Sequence, residues 1–393
     1  MLNQTDAQEC ALMAAQVARE ISFVNHPEAM QTDFHNVYHL ADANLMHFFP
    51  GMDADRRREV ITEVFFQQRM AVRDYGNHGL IETTRIEDLA GVLEARDGAP
   101  RIYCTYHVGS YRHFFHLLAR SGIDAMLFMA GKTLELQGES IVRAGNPAWP
   151  GKLEMINAEA GSSLLSGARA LKRGKSVVIY IDGNAGVGAN WESDKLQPVP
   201  FFDRTLLART GIAYLSHLSG VPIVPVTCKR GEPASLTLTL HPALAPGAQA
   251  REDYVRGTTA ALYALLEREI AATPGQWEGW LYVHKYLQRR QDTVARERSQ
   301  APHLQPESML QANLEQFAVL TFGGKPVVLD KGRHSFSMTD DSAATLFRMA
   351  AQAGGVAAAA WAGQASVQRM LDSGALVLAA ARSPAASLPS SIS

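Results

Sequence analysis

The sequence predicts an α/β protein: an αβα layered domain on a mainly parallel sheet with an N-terminal helical layer, followed by a much smaller C-terminal domain. Two observations carry the sheet. Short apolar runs without polar alternation, IYCTYH at 102–107, SVVIYI at 176–181 and VPIVPV at 221–226, are what strands covered on both faces require. Stretches with apolar residues three and four positions apart separate them, the β-α-β order that produces parallel strands. A third observation sets the domain count: 393 residues exceed the usual single core, so a large domain with an appended one is expected.

Taken in order, residues 5–75 read as helices, with helical spacing in AQECALMAAQVAREI and in DADRRREVITEVFFQQRMAV, which Asp53 caps. This helical layer runs to about residue 95. IYCTYH then feeds the helix RHFFHLLARSG, stopped at Gly122, and the strand DAMLFMA. The same grammar returns as helix SLLSGARALKRG, strand KSVVIYIDG, helix TLLARTGIAYLSHLSG and strand VPIVPVTCKR, and TLTLHPAL adds another strand. A long helix, DYVRGTTAALYALLEREIAATPG, ends at Pro274, and the aromatic segment QWEGWLYVHKYL completes an α/β domain spanning 1–290. Residues 291–312 are charged, contain proline and lack apolar periodicity, the composition of a linker. Within 313–380, FAVLTF and PVVLDKGRHSFSMT read as a hairpin and DDSAATLFRMAAQAGG and SVQRMLDSGALV as two short helices, a small winged-helix-like domain. The polar tail 381–393 has the composition of a disordered segment.

Composition excludes several classes. A 47% hydrophobic and 19% charged chain has ample apolar surface for a large core. Its 37 basic and 39 acidic residues nearly cancel, so no overall field draws it to nucleic acid or to an anionic membrane. Cys10, Cys104 and Cys228 are too few and too scattered for a disulfide framework or a metal-binding pair, which points to a reducing cytoplasm. The first 24 residues carry Asp6, Glu9, Arg19 and Glu20 and lack an export signal's apolar run. No stretch reaches the roughly 18 to 20 apolar residues of a spanning helix. A soluble, cytoplasmic protein is expected, with membrane contact at most peripheral.

The chemistry concentrates at Tyr106-His107-Val108-Gly109-Ser110-Tyr111-Arg112, where a strand ends and a helix begins, the edge at which open α/β sheets place ligands. His107 can take and return a proton near neutral pH and is the leading general base; a structural histidine closing the strand is the competing reading. Ser110 is read first as a cap of the following helix, because no Gly-x-Ser-x-Gly elbow is present, and with His113 as part of the substrate-binding surface. GNAGVGAN at 183–190 lacks dinucleotide-site context and reads as a mobile loop. No His, Cys and Asp cluster has metal-ligand spacing, so neither a metal nor a tightly bound cofactor is expected.

Together these segments resemble the lysophospholipid acyltransferase superfamily, and within it the branch that adds secondary lauroyl or myristoyl chains to lipid A. The His-x-Gly-x-aromatic stretch resembles the family's His-x4-acid motif. ALKRGKSVVIYIDGNAG, PVPFFDRTLLARTGIAYLSHLSGVPIVPV and PGQWEGWLYVHKYL resemble later blocks of the branch, and ANLMHFFPGMDADRRREVITEVFFQQ its helices before the motif, over roughly residues 15–290. The resemblance implies acyl transfer from an acyl-carrier-protein or coenzyme A thioester. It implies basic substrate contacts at Lys132 and Arg143, and an acyl groove lined by Phe201 and Phe202, an aromatic pair that on location alone reads as core. The C-terminal hairpin, GRHSFSMT and LDSGAL resemble the small winged-helix peptide chaperone of the pyrroloquinoline quinone pathway, implying presentation of a peptide or carrier protein; a dimerisation or lid element is the other reading.

One departure stands out. Where the family places its acid, this chain has Arg112, and an arginine cannot orient an imidazole or stabilise its charge. Three accounts are open. His107 can draw its carboxylate from Asp182, which also ends a core strand at the active edge. Arg112 can bind a carboxylate or phosphate on the acceptor. Or catalysis is lost and a binding module remains. The expected function is transfer of an acyl group to a hydroxyl or amine acceptor, soluble or carrier-bound, in a biosynthetic pathway. His107, Asp182 and Arg112 form the catalytic set, and an acyl or peptidyl carrier protein is the expected partner; hydrolysis or amide formation on a carrier-tethered substrate is the alternative chemistry.

Overall fold

The computed structural model describes residues 4–26, 32–95, 98–184, 195–232, 235–287, 308–352, 355–361 and 365–378. Most of the segment read as a linker, most of the GNAGVGAN loop and the whole C-terminal tail lie outside the described residues. The chain divides into two units, Met1–Met30 with Leu40–Arg290, and Gln31–His39 with Gln291–Ser393.

The first unit begins with α1 (Gln4–Glu20), α2 (Thr32–Phe48, in this unit from Leu40), α3 (Ala54–Asp74) and α4 (His78–Thr83). Asp53 caps α3 as its position implies, accepting the Arg56 N–H at 2.8 Å. Then come β1 (Arg85–Asp88), α5 (Val92–Ala95), β2 (Ile102–Gly109), α6 (His113–Arg120), β3 (Ala125–Met129), α7 (Gly131–Ala144), β4 (Leu153–Asn157), α8 (Ser163–Lys172) and β5 (Ser176–Tyr180). After them follow β6 (Leu196–Phe201), β7 (Arg204–Arg209), α9 (Gly211–Ser219), β8 (Ile223–Arg230), β9 (Leu236–Leu240) and α10 (Arg251–Ala272).

Seven strands form one sheet in the order β1-β9-β8-β2-β5-β3-β4. Every neighbouring pair in it is parallel except β8 with β9. The mainly parallel α/β sheet is therefore as the sequence predicts. Its central strands are buried along nearly their whole length, β2 at all but His107 and β8 at all but Lys229, which is why IYCTYH and VPIVPV show no alternation. Tyr103, Phe114, Leu118, Leu127, Val178 and Val226 share one core cluster with helices packed on the sheet.

β1, paired with β9, is a strand inside the span expected to be helical to about residue 95, and two other elements differ from expectation. TLLAR is not the start of a helix: β7 pairs with β6 from Leu196↔Arg209 to Phe201↔Arg204, closing on the two-residue turn Phe202-Asp203. Phe202 there has a φ of 48°. Prolines at 198 and 200 hold the preceding segment extended, and the helix begins only at Gly211. The second is β4, whose LEMIN is partly exposed on this edge of the sheet and too short to show a period.

In the second unit β11 (Phe317–Phe322), β12 (Lys325–Asp330) and β13 (Ser335–Met338) form an antiparallel sheet, with α11 (Asp341–Ala350) and α12 (Ala365–Ser373). A second sheet holds β14 (Val356–Ala357), β10 (Met309–Ala312) and β15 (Leu376–Leu378). Thus 309–312, the end of the expected linker, is a strand, fixed by the fully buried Leu310 pairing with Val356 and Leu378. Gln31–His39, expected in the larger domain, also belongs here. Asn36 makes the contact specific: its side-chain amide donates to the Thr321 carbonyl at 2.6 Å and accepts the Thr321 N–H at 3.1 Å. Among the described residues no helix is long and apolar enough to cross a membrane.

Candidate active site

His107 lies where β2 loses its register. Pairing with β8 runs from Ile102↔Ile223 to Thr105↔Val226 and resumes at Gly109↔Cys228, so β2 carries extra residues across this interval. Such a bulge re-aims a side chain. It closes on Gly109, with φ of 56°, where a Cβ would run into the Cys228 carbonyl oxygen; only glycine fits.

Asp182 follows the neighbouring strand β5. One of its oxygens meets His107 Nδ1 at 2.8 Å, and the other accepts the His107 backbone N–H at 2.9 Å and the Trp277 indole N–H at 2.8 Å. A carboxylate only accepts, so the imidazole proton resides on Nδ1 and the Nε2 lone pair is left facing outward from this bond. Nε2 has no hydrogen-bond partner among the described residues, and the His107 side chain keeps 18% exposure against 2% for Asp182. The peptide around Asp182 is pinned on both sides, by the Tyr263 hydroxyl on the Ile181 carbonyl at 3.1 Å and by the Tyr286 hydroxyl on that of Gly183. Burial pulls the imidazole pKa down; the charge and hydrogen bond of Asp182, helped by Glu278, outweigh it and the opposing Arg112, leaving His107 above its ordinary value.

Aromatic rings enclose the imidazole: Tyr111 at 4.7 Å, Tyr180 at 4.8 Å and Tyr282, perpendicular, at 6.4 Å between centroids. Tyr180 donates to the Tyr111 carbonyl at 3.2 Å. The Tyr282 hydroxyl is buried without a partner among the described residues. Arg112 makes no contact in place of the missing acid. Its Nε donates to the Tyr111 hydroxyl at 3.3 Å and its Nη1 to the Gln137 side-chain oxygen at 3.0 Å. The Tyr111 hydroxyl in turn donates to Glu278 at 3.1 Å, whose other oxygen accepts from Gln68 at 3.1 Å.

The remaining expected residues fall elsewhere. Ser110 neither caps α6 nor lines an open surface: it is fully buried, and its hydroxyl donates to Asp74 at 2.5 Å, within a buried ion pair between Asp74 and Arg230. His113 is 2% exposed with neither ring nitrogen bonded, and burial pushes it down to about 3, so it is a neutral core residue and not a substrate contact. Both were expected at the site from closeness in sequence, but the bulge and the helix start turn them inward. Lys132 is exposed at the start of α7; Arg143, near its end, is exposed beside Glu139 at 3.7 Å. Phe201 is fully buried against Trp277, Phe48 and Tyr263, while Phe202, partly buried, packs on Phe49 and Trp280. The sequence reading passed over Trp277, Glu278 and Tyr282. Glu278 opens the 3-10 turn Glu278–Leu281, which Trp277 and Tyr282 flank, and Tyr282 leads into a second turn, Val283–Lys285; no periodicity marks direction there, and the one available signal was the density of aromatic residues in QWEGWLY.

Comparison with known proteins bears on this arrangement. Residues 151–289 match the family described as bacterial lipid A biosynthesis acyltransferase. The matched span contains Asp182, Trp277 and Glu278 and begins after His107. Over this segment the chain is similar to that family. Among solved structures, the 1-acyl-sn-glycerophosphate (LPA) acyltransferase PlsC from Thermotoga maritima is similar at 12% identity, with a TM-score of 0.30, over 62% of this chain and 100% of that one. No curated protein matches.

Proposed function

We propose that this protein moves an acyl group from a thioester, carried by an acyl or peptidyl carrier protein or by coenzyme A, to a hydroxyl or amine acceptor, with His107 as general base. The observation that carries the reading is the His107–Asp182 pair, bonded at 2.8 Å through Nδ1 with Nε2 uncommitted. Nε2 takes the proton of the acceptor O–H or N–H as that atom attacks the thioester carbonyl carbon. The tetrahedral intermediate collapses with cleavage of the C–S bond, and the imidazolium returns the proton to the departing thiolate, so the base ends neutral. Asp182 fixes the tautomer and stabilises the imidazolium in between. The backbone N–H groups of Tyr111 and Arg112, which no described residue engages, supply donors for the oxyanion at the turn into α6.

Basic side chains such as Lys132 and Arg143 are the candidate contacts for the phosphate of the carrier arm. The acceptor is soluble or carrier-bound and the setting a cytoplasmic biosynthetic pathway, a reading the absence of a spanning helix among the described residues leaves open. The test is intact mass spectrometry of acyl carrier proteins and acyl-coenzyme A incubated with wild type and His107→Ala and an extract of small acceptors. Loss of the acyl group with a new acylated product, reduced by about two to four orders of magnitude in His107→Ala, supports the reading. Equal behaviour of the two proteins across the panel sinks it in favour of a binding module, and acyl loss without product makes the protein a hydrolase.

A further inference from the structure

Among the described residues Arg112 is a partly buried cation without an ion pair. No carboxylate oxygen of the described residues lies within 4.0 Å of its guanidinium, and the two groups it does bond, the Tyr111 hydroxyl and the Gln137 amide oxygen, are neutral. Glu278, which acts on it through space, has its oxygens engaged by Tyr111 and Gln68. A guanidinium withdrawn from water in this way is stabilised once an anion joins it. The side chain is also held ready: it lies over the Tyr111 ring at 5.4 Å, and Gln137 fixes the other side of the fork. Tyr111 is at the same time the ring packed on His107 at 4.7 Å. The cation and the base thus share one aromatic side chain, and the free part of the fork is close to where an acceptor must sit.

We propose that Arg112 binds an anionic oxygen group, carboxylate or phosphate, of the acyl acceptor, so that the acceptor is an anion whose hydroxyl or amine reaches His107 Nε2. That the anion belongs to the acceptor rests on the acyl-transfer reading; that Arg112 is an anion site does not. The donor's phosphate fits less well, because the long pantetheine arm separates it from the thioester carbon, whereas Arg112 is one ring away from the base. A planar fork prefers such groups over halide, since two N–H bonds can run parallel to two oxygens.

The test has two arms. In the first, the full-length protein with isotopically labelled arginine is titrated with acetate and with inorganic phosphate, against chloride at equal ionic strength, and the Arg112 Nε resonance is followed by NMR. A saturable shift with acetate or phosphate, lost in Arg112→Gln and accompanied by a rise in the His107 pKa as the bound anion offsets the cation, is the expected result. In the second, matched acceptors are compared in acyl-coenzyme A transfer: β-alanine against its amide, and O-phosphoethanolamine against ethanolamine. Wild type favours the charged member of one pair by at least about tenfold in kcat/KM, the pair showing which anion is read. Arg112→Gln abolishes that preference through KM, and Arg112→Lys restores part of it. No saturable shift with either ion, or an equal effect of Arg112→Gln on charged and neutral acceptors, overturns the proposal. Ion binding without transfer to any acceptor upholds the anion site and sinks the acyl-transfer reading alone.

Discussion

The indole N–H of Trp277 donates to Asp182 at 2.8 Å, on the same oxygen that accepts the backbone N–H of His107. Trp277 also bridges Val108 through the backbone. One residue therefore holds both the carboxylate and the bulge that presents the imidazole. Trp277 touches no reacting atom in the proposed mechanism; it is a positioning residue, and Phe201 against its ring secures it.

Trp277→Phe keeps an aromatic ring and deletes the donor. The Asp182 carboxylate then keeps only its two bonds to His107, and kcat is expected to fall about 10-fold to 100-fold with little change in KM, the loss of one charge-assisted hydrogen bond of about 1.5–3 kcal/mol. Steady-state kinetics with the acceptor found above checks it. A drop confined to KM would assign Trp277 to substrate binding instead.

The pH dependence follows from the direction of the His107 shift. The base works when neutral, so activity rises with pH through a pKa that lies above the usual value of about 6.5. For stability the sign is opposite: a raised folded pKa contributes stabilisation that is complete below about 6.5 and is lost as pH rises through the folded value. Asp182→Asn removes the charge that does most of the raising. Burial and Arg112 then prevail, the acid limb of the rate profile moves down, and the rate falls by about 10² to 10⁴ because the imidazolium is no longer stabilised. NMR titration of the His107 ring in the two proteins measures this without reference to turnover; an unchanged pKa would contradict the geometry.

Gly109→Ala tests the bulge without removing a polar group. The positive φ and the Cys228 carbonyl oxygen leave no room for a methyl group. The strand must shift, and a stability loss of at least about 1 kcal/mol is expected together with loss of activity. Denaturant unfolding gives the first and the transfer assay the second; wild-type values in both would show that the bulge relaxes freely.

Much of this was legible in sequence. The central strands announce themselves because both their faces are covered, and His107 and Asp182 are linked by the rule that parallel strands end at one edge. What was not legible is direction over short spans. Ser110 and His113 stand three and six positions beyond His107, yet one turns to the Asp74–Arg230 pair and the other into the core. The TLLAR segment carries a composition that suits a helix as well as a strand, and only its pairing with β6 decides. Trp277 reaches Asp182 across 95 positions, a contact that no local pattern encodes.

The carboxylate comes to His107 from the adjacent strand, not from the helix that starts six residues later. Base and acid are thereby uncoupled from the spacing by which such pairs are usually recognised. A search for a histidine followed at fixed distance by an acid discards this chain, while a search for two neighbouring parallel strands ending in histidine and aspartate retains it. Under the proposed anion contact, position 112 responds to the charge of the acceptor, and proteins alike in chemistry but different in acceptor are to be sought among sequences that vary there.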